Sequence, residues 1–218
     1  MGREIDLLRS IPRPKRNLSE RSQLRRPEVI CESKRYGRMY FDGPREYGYG
    51  GYKYDGRWQS VAREIVEHFG LSPGDRVLDV GAAKGFLVKD LVDLGIDAYG
   101  ADVSEYAVVN CHPDVVGRMH VATADHLPFR DASFAAVFAI DVIHNLSRER
   151  AALALREVQR LARDNAYVRV DSYLTPEQKR IFEGWVLTAE FHDYPQGWLE
   201  LFREAGYTGD YSWTIIQK

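Results

Sequence analysis

Val77-Leu78-Asp79-Val80-Gly81-Ala82-Ala83-Lys84-Gly85-Phe86-Leu87 reads as a short buried strand, a turn of small residues and the start of a helix. The strand begins near Arg76, and the helix is expected over Lys84 to Leu94, stopped by Gly95. Small residues in such a turn let a ligand press against the backbone, and the helix N-terminus offers unpaired N–H groups. The dinucleotide pattern G-x-G-x-x-G would need glycine at 81, 83 and 86, where the chain has Gly81, Ala83 and Phe86. A phosphate loop would need Gly-Lys followed by Ser or Thr, which is absent here. Neither pyrophosphate motif is met, and a purely structural tight turn stays open at this point.

Working outward, strands and helices alternate. Trp58, Val61, Ala62, Ile65, Val66 and Phe69 recur at helical spacing before Gly70. Beyond the turn, strands are expected at Ala98–Asp102, His120–Ala124, Phe134–Ile140, Tyr167–Val170 and Ser212–Gln217. Helices are expected after Ser104, from Ser147 to about Ala162, after the capping box Thr175-Pro176-Glu177-Gln178, and from Gln196 to Ala205. This alternation predicts an α/β domain with a mostly parallel sheet. The unbroken apolar run Phe134-Ala135-Ala136-Val137-Phe138-Ala139-Ile140 suits a strand covered on both faces. Ligands in such sheets bind beyond the carboxyl ends of the strands.

Acids stand at those ends. Asp79 closes the first strand, Asp102 the second, Asp125 follows the third and Asp141 the fourth. A carboxylate placed as Asp102 is can accept hydrogen bonds from both hydroxyls of a ribose. Each acid alone is equally readable as a helix cap or loop charge. Four in register with four successive strand ends point to one shared crevice.

The constellation resembles the class I S-adenosylmethionine-dependent methyltransferases, over roughly residues 57 to 206. Their first motif, D-x-G-x-G-x-G, is matched by Asp79, Gly81 and Gly85, with Ala83 in place of the middle glycine. The resemblance implies a three-layer Rossmann-like methyltransferase fold, α/β, with a mostly parallel sheet of six or seven strands. It implies S-adenosyl-L-methionine as cofactor. Gly81, Ala82, Ala83 and Gly85 would supply backbone contacts to the methionine moiety, with Asp79 orienting the turn or meeting the amino group. Asp102 would hold the ribose, and Val103 would lie against adenine. Asp125 would meet the adenine amine, with His126 and Leu127 alongside. Asp141 would face the transferable methyl. The family usually closes with an antiparallel strand pair, whereas Tyr207 to Lys218 has room for one strand rather than two.

An alcohol or phenol acceptor must lose a proton, and an amine must be held neutral. His144, three residues beyond Asp141, is the candidate base, with a packed loop histidine as the alternative reading. Asp141 would orient that base, or bind acceptor or cofactor. No metal site is expected: Asp164-Asn165 precedes the fifth strand, at the end opposite to that used by metal-dependent catechol-type relatives. Neither cysteine follows proline as a cytosine-C5 nucleophile, which disfavours DNA base chemistry.

Residues 36 to 56 hold six tyrosines and six glycines, a composition that opposes a regular helix and demands burial of phenols. A loop folded over a surface or ligand satisfies both, so a Tyr/Gly-rich lid is expected. Tyr49, Tyr52 and Arg57 are then candidates, by resemblance, to meet the cofactor carboxylate. The expected organisation is a basic leader and lid over 1–56, then the catalytic domain over 57–218. Net charge is −2, but residues 1 to 35 carry ten Lys/Arg against five Asp/Glu, leaving −7 on the remainder. The leader is read as packing on its own subunit or a neighbour, with a homodimer left open. An RNA- or protein-docking arm is the alternative, with RNA disfavoured by the acidic body. No apolar run is long enough to span a membrane, the N-terminus lacks a signal-like stretch, and two cysteines make no disulfide framework. A cytoplasmic enzyme acting on a small molecule, at an oxygen of a sugar-like or specialised metabolite, is expected. A protein that binds the same cofactor without methylating is the third alternative.

Overall fold

Six strands form one sheet in the order β3-β2-β1-β4-β5-β6: β1 Arg76–Val80, β2 Asp97–Asp102, β3 Met119–Val121, β4 Phe134–Ile140, β5 Ala162–Ser172 and β6 Asp210–Ile215. Every neighbouring pair is parallel. The computed structural model describes residues 2–11 and 25–215. The chain order reverses between β1 and β4, so a crevice opens at the carboxyl ends of those two strands.

Both faces of the sheet are covered, which explains the apolar run of β4. Val137 and Ala139 pack with Leu155, Val158, Trp198 and Phe202 on one side. Ala136 and Phe138 pack with Val61, Ile65 and Leu91 on the other. Eight helices flank the sheet or its N-terminal segment among the described residues: α1 Pro27–Ser33, α2 Arg38–Asp42, α3 Gln59–Phe69, α4 Phe86–Asp93, α5 Glu105–Val109, α6 Arg148–Leu161, α7 Pro176–Trp185 and α8 Pro195–Ala205. Their ends follow local chemistry. Gly70 and Gly206 stop α3 and α8 in the left-handed conformation, and Ser104, Ser147 and Thr175 cap α5, α6 and α7 with side-chain acceptors. No described helix is long and apolar enough to cross a membrane.

The closing edge differs from the antiparallel pair that the resemblance implies. One strand, β6, pairs parallel to β5 with Tyr167 opposite Asp210 and Val170 opposite Trp213. Its outer edge is covered by the N-terminal residues: Ile5 donates to the Tyr211 carbonyl at 2.9 Å, and Tyr211 donates to the Arg3 carbonyl at 3.1 Å. Covering an edge strand removes unpaired backbone groups that would otherwise invite association. The proline-bearing basic arm through Arg16 lies outside the described residues.

The Tyr/Gly-rich segment packs on the turn after β1. Phe41 is buried against Ala83 and Ala107, with Tyr36, Tyr40, Tyr52 and Tyr106 around it. Internal bonds shape it into a unit: Tyr49 donates to the Tyr40 carbonyl at 2.8 Å, and Tyr52 to the Phe41 carbonyl at 2.9 Å.

Candidate active site

A cavity of about 400 Å³ lies at the carboxyl ends of β1, β2 and β4. Its floor is the turn after β1. The Gly81 N–H donates to the Ala101 carbonyl at 2.7 Å, which ties the turn to β2. Gly81 has φ +78°, and a Cβ there would stand 2.7 Å from the Val142 Cβ, so only glycine fits. Gly85, at φ +72°, opens α4. Ala83 carries φ +50°, a left-handed backbone that costs a non-glycine residue energy. Its N–H donates to Asp102 Oδ2 at 2.7 Å, and the Ser104 N–H donates to Oδ1 at 2.8 Å. Asp102 thus braces the turn while facing the cavity. Burial pushes its carboxyl up, against the pull of the two backbone bonds.

Asp79 is 5% exposed and lines the same cavity. Burial, then the nearby charge of Asp102, pushes its carboxyl up to about 8. Among the described residues no cation pairs with it. An isolated desolvated carboxylate of this kind favours protonation, or a cationic partner brought in from outside.

Asp141 sits at the end of β4 with φ +56° and lines the cavity. Its Oδ1 accepts from the Thr214 hydroxyl at 2.7 Å, and its Oδ2 lies 3.7 Å from Arg169 Nη1. Tyr36, Ala83 and Asp141 are three of the four non-glycine residues with left-handed backbone among the described residues, and all three line the cavity. Backbone strain concentrated at one site marks it as functional rather than incidental.

The roof is aromatic. Tyr36, Tyr40, Phe41, Tyr49 and Tyr52 face the cavity from the Tyr/Gly-rich segment. The Tyr49 and Tyr52 rings lie 4.3 Å apart, and Tyr52 stacks on Phe86 at 4.7 Å. Half-exposed Val103 and Ala124 contribute apolar surface beyond β2 and β3.

Six of the residues expected from sequence do not line the cavity, Gly85 among them. Asp125 turns away to form a two-point ion pair with Arg150, at 2.6 and 3.0 Å, and it is Arg150 that lines the cavity. His126 is exposed, and Leu127 is in the core with its N–H bonded to Glu157 at 2.8 Å. Arg57 pairs with Asp55 at 2.8 Å outside the cavity, while its neighbour Trp58 lines it. His144 is buried in a 3₁₀ turn, Ile143–Asn145, behind the cavity wall. Its Nδ1 accepts the Asp171 N–H at 2.9 Å, and its Nε2 lies 3.2 Å from Asp171 Oδ2. A ring held at both nitrogens does not face a methyl donor, which corrects the placement expected for it. Among the described residues no three His, Cys, Asp or Glu side chains converge on a metal position.

Residues 78–170, which contain the floor and the crevice, match the family model described as a methyltransferase domain. That match covers less than half of the chain. A demethylmenaquinone methyltransferase of Beutenbergia cavernae is 33% identical over 117 residues, covering 52% of this chain and 47% of the relative. A sterol 24-C-methyltransferase of Schizosaccharomyces pombe is 31% identical over 110 residues, covering 45% and 29%. The chain therefore spans about half the length of the first of these relatives, and less of the second. A structure described as a putative methyltransferase from Bacillus halodurans superposes with a TM-score of 0.55 at 16% identity, over 66% of this chain and 68% of that one. That likeness shows the fold. The matching methyltransferase region holds the glycine turn, Asp79, Asp102 and Asp141, but the Tyr/Gly-rich roof lies outside it.

The methyltransferase family model that residues 78–170 match implies S-adenosylmethionine as the group to test against this cavity. The residues present fit it. An unpaired buried carboxylate suits an ammonium, a braced aspartate at the end of β2 suits vicinal hydroxyls, and a glycine turn suits close backbone approach.

Proposed function

We propose that this chain transfers a methyl group from S-adenosylmethionine to a small-molecule acceptor. The observation that carries the reading is the pair Asp79 and Asp102, two desolvated carboxylates facing one aromatic-roofed cavity, with no cation on Asp79 among the described residues. In this reading Asp79 receives the amino group of the methionine moiety, and Gly81 to Ala83 lie against its backbone-like part. Asp102 keeps its backbone bonds to Ala83 and Ser104 and offers its remaining lone pairs to the ribose hydroxyls. Val103, Ala124 and Leu146 supply the apolar surface for a flat base, in place of the contact expected from Asp125, whose oxygens are held by Arg150.

The bound cofactor supplies an electrophilic methyl on a sulfonium, so the protein contributes chiefly alignment and water exclusion. Tyr40, Tyr49 and Tyr52 exclude water from above, acting as a lid. Asp141 is the acid that follows β4 and lines the cavity. With Oδ1 held by Thr214 and Oδ2 3.7 Å from Arg169 Nη1, its remaining lone pairs orient an acceptor hydroxyl or amine and accept its proton. This assigns to Asp141 the proton-accepting part first expected of His144. The relatives named above act on demethylmenaquinone and on sterols, and the acceptor here is proposed as a small ring-bearing metabolite that stacks on the tyrosines, with a hydroxyl of a sugar-like ring as the leading choice.

The test is incubation with methyl-labelled S-adenosylmethionine and the low-molecular-mass fraction of a cell extract. A labelled small product and stoichiometric S-adenosylhomocysteine are expected. No demethylated cofactor in any fraction would defeat the reading.

A further inference from the structure

Asp42 has no expected role in sequence, yet it collects more partners than any other acid in the Tyr/Gly-rich segment. Lys84 Nζ approaches its two oxygens at 2.8 and 2.6 Å, and the Tyr106 hydroxyl donates to Oδ2 at 2.7 Å. The Tyr52 N–H reaches Oδ1 at 3.3 Å, and Lys84 Nζ also bonds the Tyr52 carbonyl at 3.2 Å. Lys84 is itself buried, at 8% exposure, inside the glycine turn between Ala83 and Gly85. One ion pair therefore joins the floor of the cavity to its roof. Neither Asp42 nor Lys84 lines the cavity, whereas their neighbours Phe41, Tyr52 and Ala83 do.

We infer that Asp42 and Lys84 are positioning residues that hold the tyrosine roof on the cofactor turn, so that cofactor affinity depends on a contact the cofactor never touches. The inference rests on the cofactor reading above. The segment from Tyr40 to Tyr52 is bonded to itself as a unit, and its polar contacts with the body among the described residues include Asp42 on Lys84 and Tyr106 and Lys84 on the Tyr52 carbonyl. Of these, the two contacts of Lys84, with Asp42 and with the Tyr52 carbonyl, reach the turn that carries Gly81 and Ala83, and the charged one is made by Asp42. A partly buried pair is costly to leave half-made, above all for Lys84, whose charge would be stranded away from water on loss of Asp42. Breaking it should therefore free the segment as a unit, taking Tyr49 and Tyr52 with it. Burial raises the Asp42 carboxyl but the hydrogen bonds from Lys84 and Tyr106 outweigh it, holding the group below the ordinary carboxylate range.

The experiment measures S-adenosylhomocysteine binding by calorimetry to the full chain, to Lys84→Met, to Asp42→Asn and to the double variant. Trypsin cleavage after Arg45 and Lys53 is followed alongside. Each single change should weaken binding about tenfold or more and speed cleavage in that segment. The double variant should bind no more weakly than the worse single one, because both changes remove the same contact. Lys84→Arg keeps the charge and should restore most of the affinity. Tyr106→Phe, which removes one bond to Asp42 from a short surface helix, should weaken binding by a smaller factor even if the Lys84 variant fails to fold. Affinities within twofold of the wild type, or losses that add fully in the double variant, would overturn the inference. A wild-type chain that does not bind S-adenosylhomocysteine at all would overturn the cofactor reading and this inference with it, a distinct result.

Discussion

His144 and Asp171 hold one another at two points: the Asp171 N–H donates to Nδ1 at 2.9 Å, and Asp171 Oδ2 lies 3.2 Å from Nε2. An Nδ1 that accepts leaves the proton on Nε2, facing the carboxylate. The His144 carbonyl also accepts from Glu190 and Phe191, so this residue ties the end of β5 to the loop before α8. His144→Ala should cost about 1–3 kcal/mol of stability, from the stranded Asp171 groups. S-adenosylhomocysteine affinity should persist in the folded fraction. A turnover loss of about a hundredfold at unchanged melting temperature would instead restore the role of general base.

Asp102→Ala removes the acceptor for the Ala83 and Ser104 N–H groups as well as the proposed ribose contact. Cofactor affinity should fall by about tenfold or more, with about 1–3 kcal/mol lost from stability. Calorimetry and thermal melting read the two effects separately, and an unchanged dissociation constant would reject the assignment of Asp102.

Positions 81 and 83 should respond in opposite directions. Gly81→Ala brings a Cβ to 2.7 Å from the Val142 Cβ at a left-handed φ, and should destabilise by about 1–3 kcal/mol. Ala83 already holds a left-handed backbone, so Ala83→Gly relieves strain while loosening the unfolded chain. Its stability should stay within about 1 kcal/mol of the wild type, with a gain if the strain term dominates. Denaturant unfolding of both variants checks the contrast. A Gly81→Ala protein as stable as wild type would mean that the turn is not packed as described.

Asp79 makes stability depend on pH with a definite sign. Its folded carboxyl is pushed up to about 8 from the ordinary 3.8, so the native state keeps a proton that the unfolded chain releases between those values. The contribution of this group to stability is therefore highest at the acid end of that window and is lost as pH rises through it. The slope is at most about 1.4 kcal/mol per pH unit. Asp79→Asn should be flatter than wild type when unfolding is compared from about pH 5 to about pH 8. Identical slopes would remove Asp79 as the source.

Much of this arrangement was legible in the residues because it follows from strand period and turn chemistry. Phe134 to Ile140 is the strand its apolar run implied, and Asp79, Asp102 and Asp141 stand around one cavity because each closes or follows a strand in the middle of the sheet. Local reading failed where a distant partner decides the outcome. Asp125 is turned away by Arg150, 25 residues on, and Asp42 meets Lys84 across 42 residues. His144, in a 3₁₀ turn, is likewise held by a distant partner, Asp171, 27 residues on. The density of tyrosine and glycine signalled a segment needing a surface to cover. Which tyrosines face the cavity was not readable, because no regular period relates Tyr36, Tyr40, Tyr49 and Tyr52.

The most direct test of the proposed cofactor site is calorimetric titration with S-adenosylhomocysteine near pH 6.5, in two buffers of different ionisation enthalpy. Its amino group, with an ordinary pKa of about 7.7–8.0, is then already charged, so any proton exchanged belongs to the protein. Binding should release close to one proton per site, as the incoming ammonium ionises Asp79, and Asp79→Asn should release none. Binding to the wild type with no proton released, or no binding at all, would contradict the account.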